Sequence, residues 1–252
     1  MHIKIEWNGR VLIADLSKPL HIAIPLRDGI DNQPNAYGAP PFETKPYKSG
    51  DFVGTIEAGS PVNYYNVRLN PHGNGTHTET IGHIVEGDFA IHTCLGDSHM
   101  IAEVISVCPQ KADNGDMVIH PESLGTLQKH KTEALIVRTL PNEAKKQFFK
   151  YTGTNPPYFS AAAMQWIIDQ NYKHLLTDLP SVDREVDQGA LTSHKIFWQT
   201  ETSPQIHKTI TEMVYVANDI KDDIYLLNLQ IAPLILDASP SRPVLFKLNE
   251  ES

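Results

Sequence analysis

Short apolar runs rich in β-branched residues recur along this chain, and only one segment shows clear helical spacing. That pattern limits the fold more than any other feature. "IKIEWNGRVLIADL" alternates apolar and polar residues on either side of Asn8-Gly9, which predicts two strands joined by a tight turn. "MIAEVISVC" and "TEALIVRTL" read as buried strands. "SAAAMQWIIDQNY" carries apolar residues at helical spacing behind a Ser160 cap, and it feeds directly into the strand "KHLLTDL". Further strands are expected in "TEMVYVAN", "DIYLLNLQIAPLIL" and "RPVLFKL". With no internal repeat, low-complexity tract or clear linker, residues 1–252 read as one mixed α/β domain.

Between about Pro19 and Pro71 the chain is rich in Gly, Pro, Asn and Tyr. So long a stretch without strong periodicity is expected to contact a partner or cover a pocket. Cys94 and Cys108 sit in no CxxC pair and are expected to be buried apolar side chains in a reducing compartment. A net charge of −9 argues against nucleic-acid binding and against docking on anionic membranes. No stretch has the length of a membrane span, and the first residues lack the apolar run of a signal peptide. The expected location is cytoplasmic.

"NPHGNGTHTETIGH", residues 70–83, gathers His72, His77 and His83 around Glu79. Imidazole and carboxylate together suit borderline divalent metals. On a strand, His77 and Glu79 point the same way and can share one ion. His72 has the wrong parity for a straight strand, but Gly73 and Gly75 allow a bend or bulge that re-aims it. His83 is placed to reach the same cavity as a base and not as a ligand. His194 and Glu212 are further ligand candidates, because each lies in an otherwise apolar run where an unpaired charge is costly. The remaining histidines show no such clustering and are read as surface or structural.

These residues resemble the cyclase family of metal-dependent hydrolases, which includes the bacterial type of kynurenine formamidase and carries a motif HxGTHxDxPxH. "GTHTETIGH" matches its GTH core, the carboxylate two residues later and the closing histidine. "DLSKPL", "HLLTDLPSVDRE", "SHKIF" with "ITEMVYVAN", and "LQIAPLILDASPSRPVLFKL" resemble further family segments in the same order. Glu79 stands where the family has Asp. His72 matches the first histidine only with one residue inserted, and Ile81 and Gly82 occupy the neighbourhood of the motif's proline.

The resemblance implies an α/β fold with mixed sheets around a partly barrel-like core flanked by helices. It also implies His72, His77, Glu79, His194 and Glu212 as metal ligands and His83 as a proton shuttle. The cofactor would be zinc or manganese, one or two ions per chain, and the assembly a homodimer or homotetramer acting on a small-molecule substrate. The implied reaction is hydrolysis of an amide or cyclic amide C–N bond by metal-activated water, as in an arylformamidase. Ser181 and Asp183 either shape the pocket wall or form a plain turn, and Arg242 is expected to brace the closing turn. Two other readings stand beside this one. A two-histidine, one-carboxylate set suits a non-haem iron oxygenase, and the altered motif suits a non-catalytic binding protein on the same fold.

Overall fold

The computed structural model describes residues 1–29, 31 and 33–250. Strands β1 (His2–Trp7) and β2 (Arg10–Asp15) form the expected hairpin. Its turn places both Asn8 (φ 49°) and Gly9 (φ 73°) in the left-handed region, which is why Asn-Gly stands there.

Seven strands then close on themselves: β3 (His77–Glu79), β4 (His99–Val107), β5 (Ala134–Thr139), β6 (His174–Thr177), β7 (Thr209–Glu212), β8 (Ile224–Ile231) and β9 (Ala238–Glu250). Around the ring the order is β9-β8-β4-β5-β6-β7-β3 and back to β9. The β4–β5, β5–β6 and β6–β7 pairs are parallel, and the other four are antiparallel. Parallel neighbours need crossover connections, and here each crossover carries a helix. These helices are α2 (Pro121–Leu127), α3 (Ala161–Asp169) and α4 (Thr192–Trp198); a single turn, α1 (Ile91–Cys94), precedes β4. The expected mixed α/β fold with a barrel-like core is the fold observed.

The period-2 alternation of the strands separates two apolar layers. Met100, Ala102, Val104, Ile136, Leu176, Leu227 and Leu245 form the layer away from the helices, which the ring encloses. Ile105, Val137, Leu175 and Ile210 face outward and pack against Met164, Ile167, Phe197 and Trp198 of α3 and α4. Ser160 caps α3 by accepting the Ala163 N–H (3.1 Å), as its position ahead of the apolar periodicity predicts. The β1–β2 hairpin extends the sheet through β9 and covers Ile101, Ile224 and Leu226.

Several local expectations are corrected. The strand expected in "TEMVYVAN" ends at Glu212, because Met213 adopts φ 52° and turns the chain out of extension; Val214 makes only an isolated bridge to Ala23. β8 stops at Ile231, short of Pro233, which has no N–H to give to a ladder. The last strand starts at Ala238, earlier than "RPVLFKL". Cys94 is buried, but Cys108, just past the end of β4, is exposed. The stretch from Pro19 to Pro71 is not structureless. It contains a paired Glu43–Pro46 and Tyr65–Arg68, a smaller pair at Lys48–Ser49 and Phe52–Val53, and a turn capped by Thr55.

Candidate metal centre

The seam where β3 closes the ring brings the candidate residues together. Strand β3 lies between β7 and β9, and His77 is in register with Glu212 on one side and Pro240 on the other. Glu79 is in register with Ile210, an outward-facing residue under the helices, so both His77 and Glu79 point outward. The intervening Thr78 points inward and is hydrogen-bonded to Thr211 (2.8 Å between the hydroxyls). The expected parity of His77 and Glu79 therefore holds.

His77 Nδ1 donates to the Gly75 carbonyl (2.9 Å), which leaves a lone pair on Nε2. That Nε2 atom is buried, has no hydrogen-bond partner and lies 3.4 Å from Glu212 Oε2. His194 enters from α4. Its Nδ1 donates to Asp183 (2.6 Å), and its Nε2 stands 3.2 Å from Glu79 Oε1 and 4.0 Å from Glu212 Oε1. Asp183 also accepts the N–H groups of Ser193 (2.7 Å) and His194 (3.2 Å), so one carboxylate starts the helix and orients its histidine. Ser181 Oγ accepts the Asp183 N–H (3.1 Å), which makes the predicted turn real, and both residues also line the cavity.

His72 reaches the cluster by a turn, the bend and not the bulge of the two expected alternatives. Asn70 closes that turn by accepting the Gly73 N–H with its side chain (3.0 Å) and the Asn74 N–H with its carbonyl (3.2 Å). His72 Nδ1 then lies 3.1 Å from Glu79 Oε2. His83 follows a short turn capped by Thr80, with Nε2 3.9 Å from the same oxygen. Five of the six predicted residues thus line one cavity, and His77 lies buried behind it against Glu212.

Asp237, which sequence reasoning missed, joins them through Oδ2, 2.8 Å from His72 Nε2 and 3.5 Å from His83 Nδ1. It lies just before β9, inside the quoted "LILDASP" run, and no spacing rule links it to the histidine cluster. Arg242, by contrast, sits within the β8–β9 ladder opposite Gln230 with an exposed side chain, not at the closing turn.

The electrostatics fit a cation. Glu79 and Glu212 are both buried, and two such carboxylates repel each other. Burial and the charge of Glu79 push the Glu212 carboxyl above its usual range. Burial also works against the Glu79 carboxylate, but His83, His194 and His72 outweigh it and hold that group well below its usual range. His194 shows the mirror image: burial opposes its charge, but the bonds to Asp183 and Glu79 raise it to about 10. His72 is likewise raised to about 10 against burial, by Asp237 and Glu79. A buried imidazole nitrogen without a partner, aimed at a carboxylate, is a donor set that a divalent ion would satisfy. Three overlapping groups meet the spacing for a shared ion: His72, His77 and Glu79; Glu79, His83 and His194; and His72, His83 and Asp237.

The ring fold is that of the cyclase class of metal-dependent hydrolase folds. The sequence profile of the family described as "Putative cyclase" matches residues 14–184, and the chain belongs to that family. Solved structures agree on the fold. A predicted metal-dependent hydrolase from Bacillus stearothermophilus superposes with a TM-score of 0.64 at 16% identity, over 91% of this chain and 98% of that one. An isatin hydrolase bound to the product analogue thioisatinate gives 0.65 at 13% identity, over 93% of each chain. Isatin hydrolase A from Labrenzia aggregata gives 0.61 at 13%, over 91% and 93%. No curated protein matches the chain. Among the described residues no helix is long and apolar enough to cross a membrane.

Proposed function

We propose that this chain is a divalent-metal-dependent hydrolase that opens a C–N bond in a small amide or cyclic amide. The observation that carries the reading is the pair of imidazole Nε2 atoms of His77 and His194, each with its Nδ1 tied elsewhere and each facing buried carboxylates. His72, His77, Glu79, His194 and Glu212 would hold one or two ions, zinc or manganese. Such an ion, when bound, supplies an acidified water and polarises a carbonyl.

The chain's own part is positioning and proton transfer. His83 is partly exposed, with its side chain 32% accessible, and it lines the same cavity as Glu79 and His194. It takes a proton from the attacking water at Nε2 and returns it to the leaving nitrogen. The cavity holds about 170 Å³, which suits a single small ring system and not a peptide strand. The isatin hydrolase likeness supports a cyclic amide over a formamide as the first compound to test.

Five ligand candidates, two of them carboxylates, fit this chemistry better than the one-carboxylate set of an iron oxygenase. The reading takes the chain as one cytoplasmic domain that assembles as a homodimer or homotetramer. Exposed Ile56, Val62, Tyr64 and Val67 on the 43–68 excursion support the assembly, which sedimentation measures. Elemental analysis of purified protein, with an assay of lactams, cyclic imides including isatin, and formyl amides under zinc and manganese, tests the function. Metal uptake with chelator-sensitive turnover is expected, and absence of bound metal would overturn the proposal.

A further inference from the structure

The geometry points to Asp237 as a positioning residue that fixes which ring nitrogen of His72 and of His83 carries the proton. This rests on the metal-centre reading above and goes beyond it to a residue outside the predicted ligand set. The two imidazoles stack with centroids 4.3 Å apart and planes inclined by 30°. They span the same two carboxylates in opposite senses. His72 turns Nδ1 to Glu79 Oε2 (3.1 Å) and Nε2 to Asp237 Oδ2 (2.8 Å). His83 turns Nε2 to Glu79 Oε2 (3.9 Å) and Nδ1 to Asp237 Oδ2 (3.5 Å).

A neutral imidazole has one donor and one acceptor nitrogen, and a carboxylate only accepts. With a cation on the Glu79 side, the nitrogens facing Glu79 must present lone pairs. Their protons then belong at the Asp237 end, on His72 Nε2 and His83 Nδ1. Asp237 is anchored for this role, because its carbonyl accepts the Thr80 N–H (3.0 Å) and hydroxyl (3.2 Å) and its neighbour Ala238 is in register with Glu79. His72 would therefore offer Nδ1 to the ion, while His77 and His194 offer Nε2. The same carboxylate leaves His83 Nε2 free for the reacting proton.

Asp237→Asn keeps the shape but replaces a carboxylate that only accepts with an amide that can accept or donate, so it no longer dictates the tautomers. The test loads ¹⁵N-histidine-labelled protein with ¹¹³Cd²⁺ and reads cadmium–nitrogen couplings. Wild type is expected to couple through Nδ1 of His72 and Nε2 of His77 and His194. Asp237→Ala, which removes the acceptor, is expected to weaken the His72 coupling and to weaken cadmium binding by roughly 10–100-fold, with kcat lowered and KM little changed. Asp237→Asn, whose amide oxygen can still accept, should fall between wild type and Asp237→Ala. Wild-type affinity and coupling in Asp237→Ala, or coupling through His72 Nε2 in wild type, would overturn the inference alone. No cadmium uptake by wild type would overturn both this and the functional reading. Couplings as expected in a chain that hydrolyses nothing would uphold this inference and remove the functional one.

Discussion

His77 and Glu212 are register partners across the seam that closes the ring, with His77 Nε2 3.4 Å from Glu212 Oε2 and no hydrogen-bond partner of its own. The Gly75 carbonyl holds the other ring nitrogen, so the ring cannot turn its lone pair away without losing a buried bond. His77→Ala is therefore expected to lower the metal content of purified protein in elemental analysis. Unchanged stoichiometry would remove His77 from the ligand set.

His83 is the most exposed of the three histidines in the 70–83 segment and approaches Glu79 Oε2 only to 3.9 Å. His83→Ala is expected to retain the metal and to lose roughly 10²–10⁴-fold in kcat. Full turnover by this variant would take His83 out of the mechanism.

Asp183 accepts two backbone N–H groups at the start of α4 as well as His194 Nδ1. Asp183→Ala should cost about 1–3 kcal/mol in chemical denaturation, because buried donors lose their acceptor. It should also weaken metal binding by about 10–100-fold, because His194 loses its orienting bond. A metal titration matching wild type would contradict the second expectation even if stability fell.

Gly73 holds the turn that brings His72 to Glu79. A Cβ added there would stand 2.3 Å from the Ala39 Cβ, a contact that backbone on one side or the other must relieve. Gly73→Ala is expected to destabilise by about 1–3 kcal/mol and to reduce metal affinity. Thermal denaturation and metal titration together check this.

His174, the first residue of β6, is buried, with Nδ1 2.8 Å from the Thr209 hydroxyl. Burial, and then the charge of Lys173, lower its pKa from 6.5 to about 4. The folded state keeps this ring neutral, while the unfolded chain protonates it near 6.5. Between those values the unfolded state binds more protons, so stability falls as pH drops from about 6.5 to about 4. The loss attributable to this group is about 3 kcal/mol at most. His174→Gln should flatten stability in that window, and an equally steep profile in the variant would assign the pH dependence elsewhere.

Local chemistry was readable in particular places. Asn8-Gly9 gave the hairpin turn because few residue pairs tolerate two left-handed conformations in a row. Ser160 marked the start of α3, and the spacing of His77 and Glu79 placed both side chains on one face. Other features gave no local signal. Met213 ends β7 by a left-handed backbone that its side chain does not advertise. Cys108 belongs to an apolar run yet falls one residue beyond the strand that buries its neighbours. The helix α4 that delivers His194 is started by Asp183, on a preceding turn, and not by a capping residue next to it.

Asp237 shows where the boundary lies. The sequence by itself determined the elements whose causes act over a few residues: turns, a helix cap, the two-residue alternation of strands and the grouping of imidazoles around Glu79. Only the tertiary structure decided that β3 would close the ring between β7 and β9, bringing Glu212 and Asp237 to opposite sides of that group. Strand closure is chosen by the burial of whole apolar faces across the ring, a cooperative property of many distant residues, and no short stretch of sequence carries it.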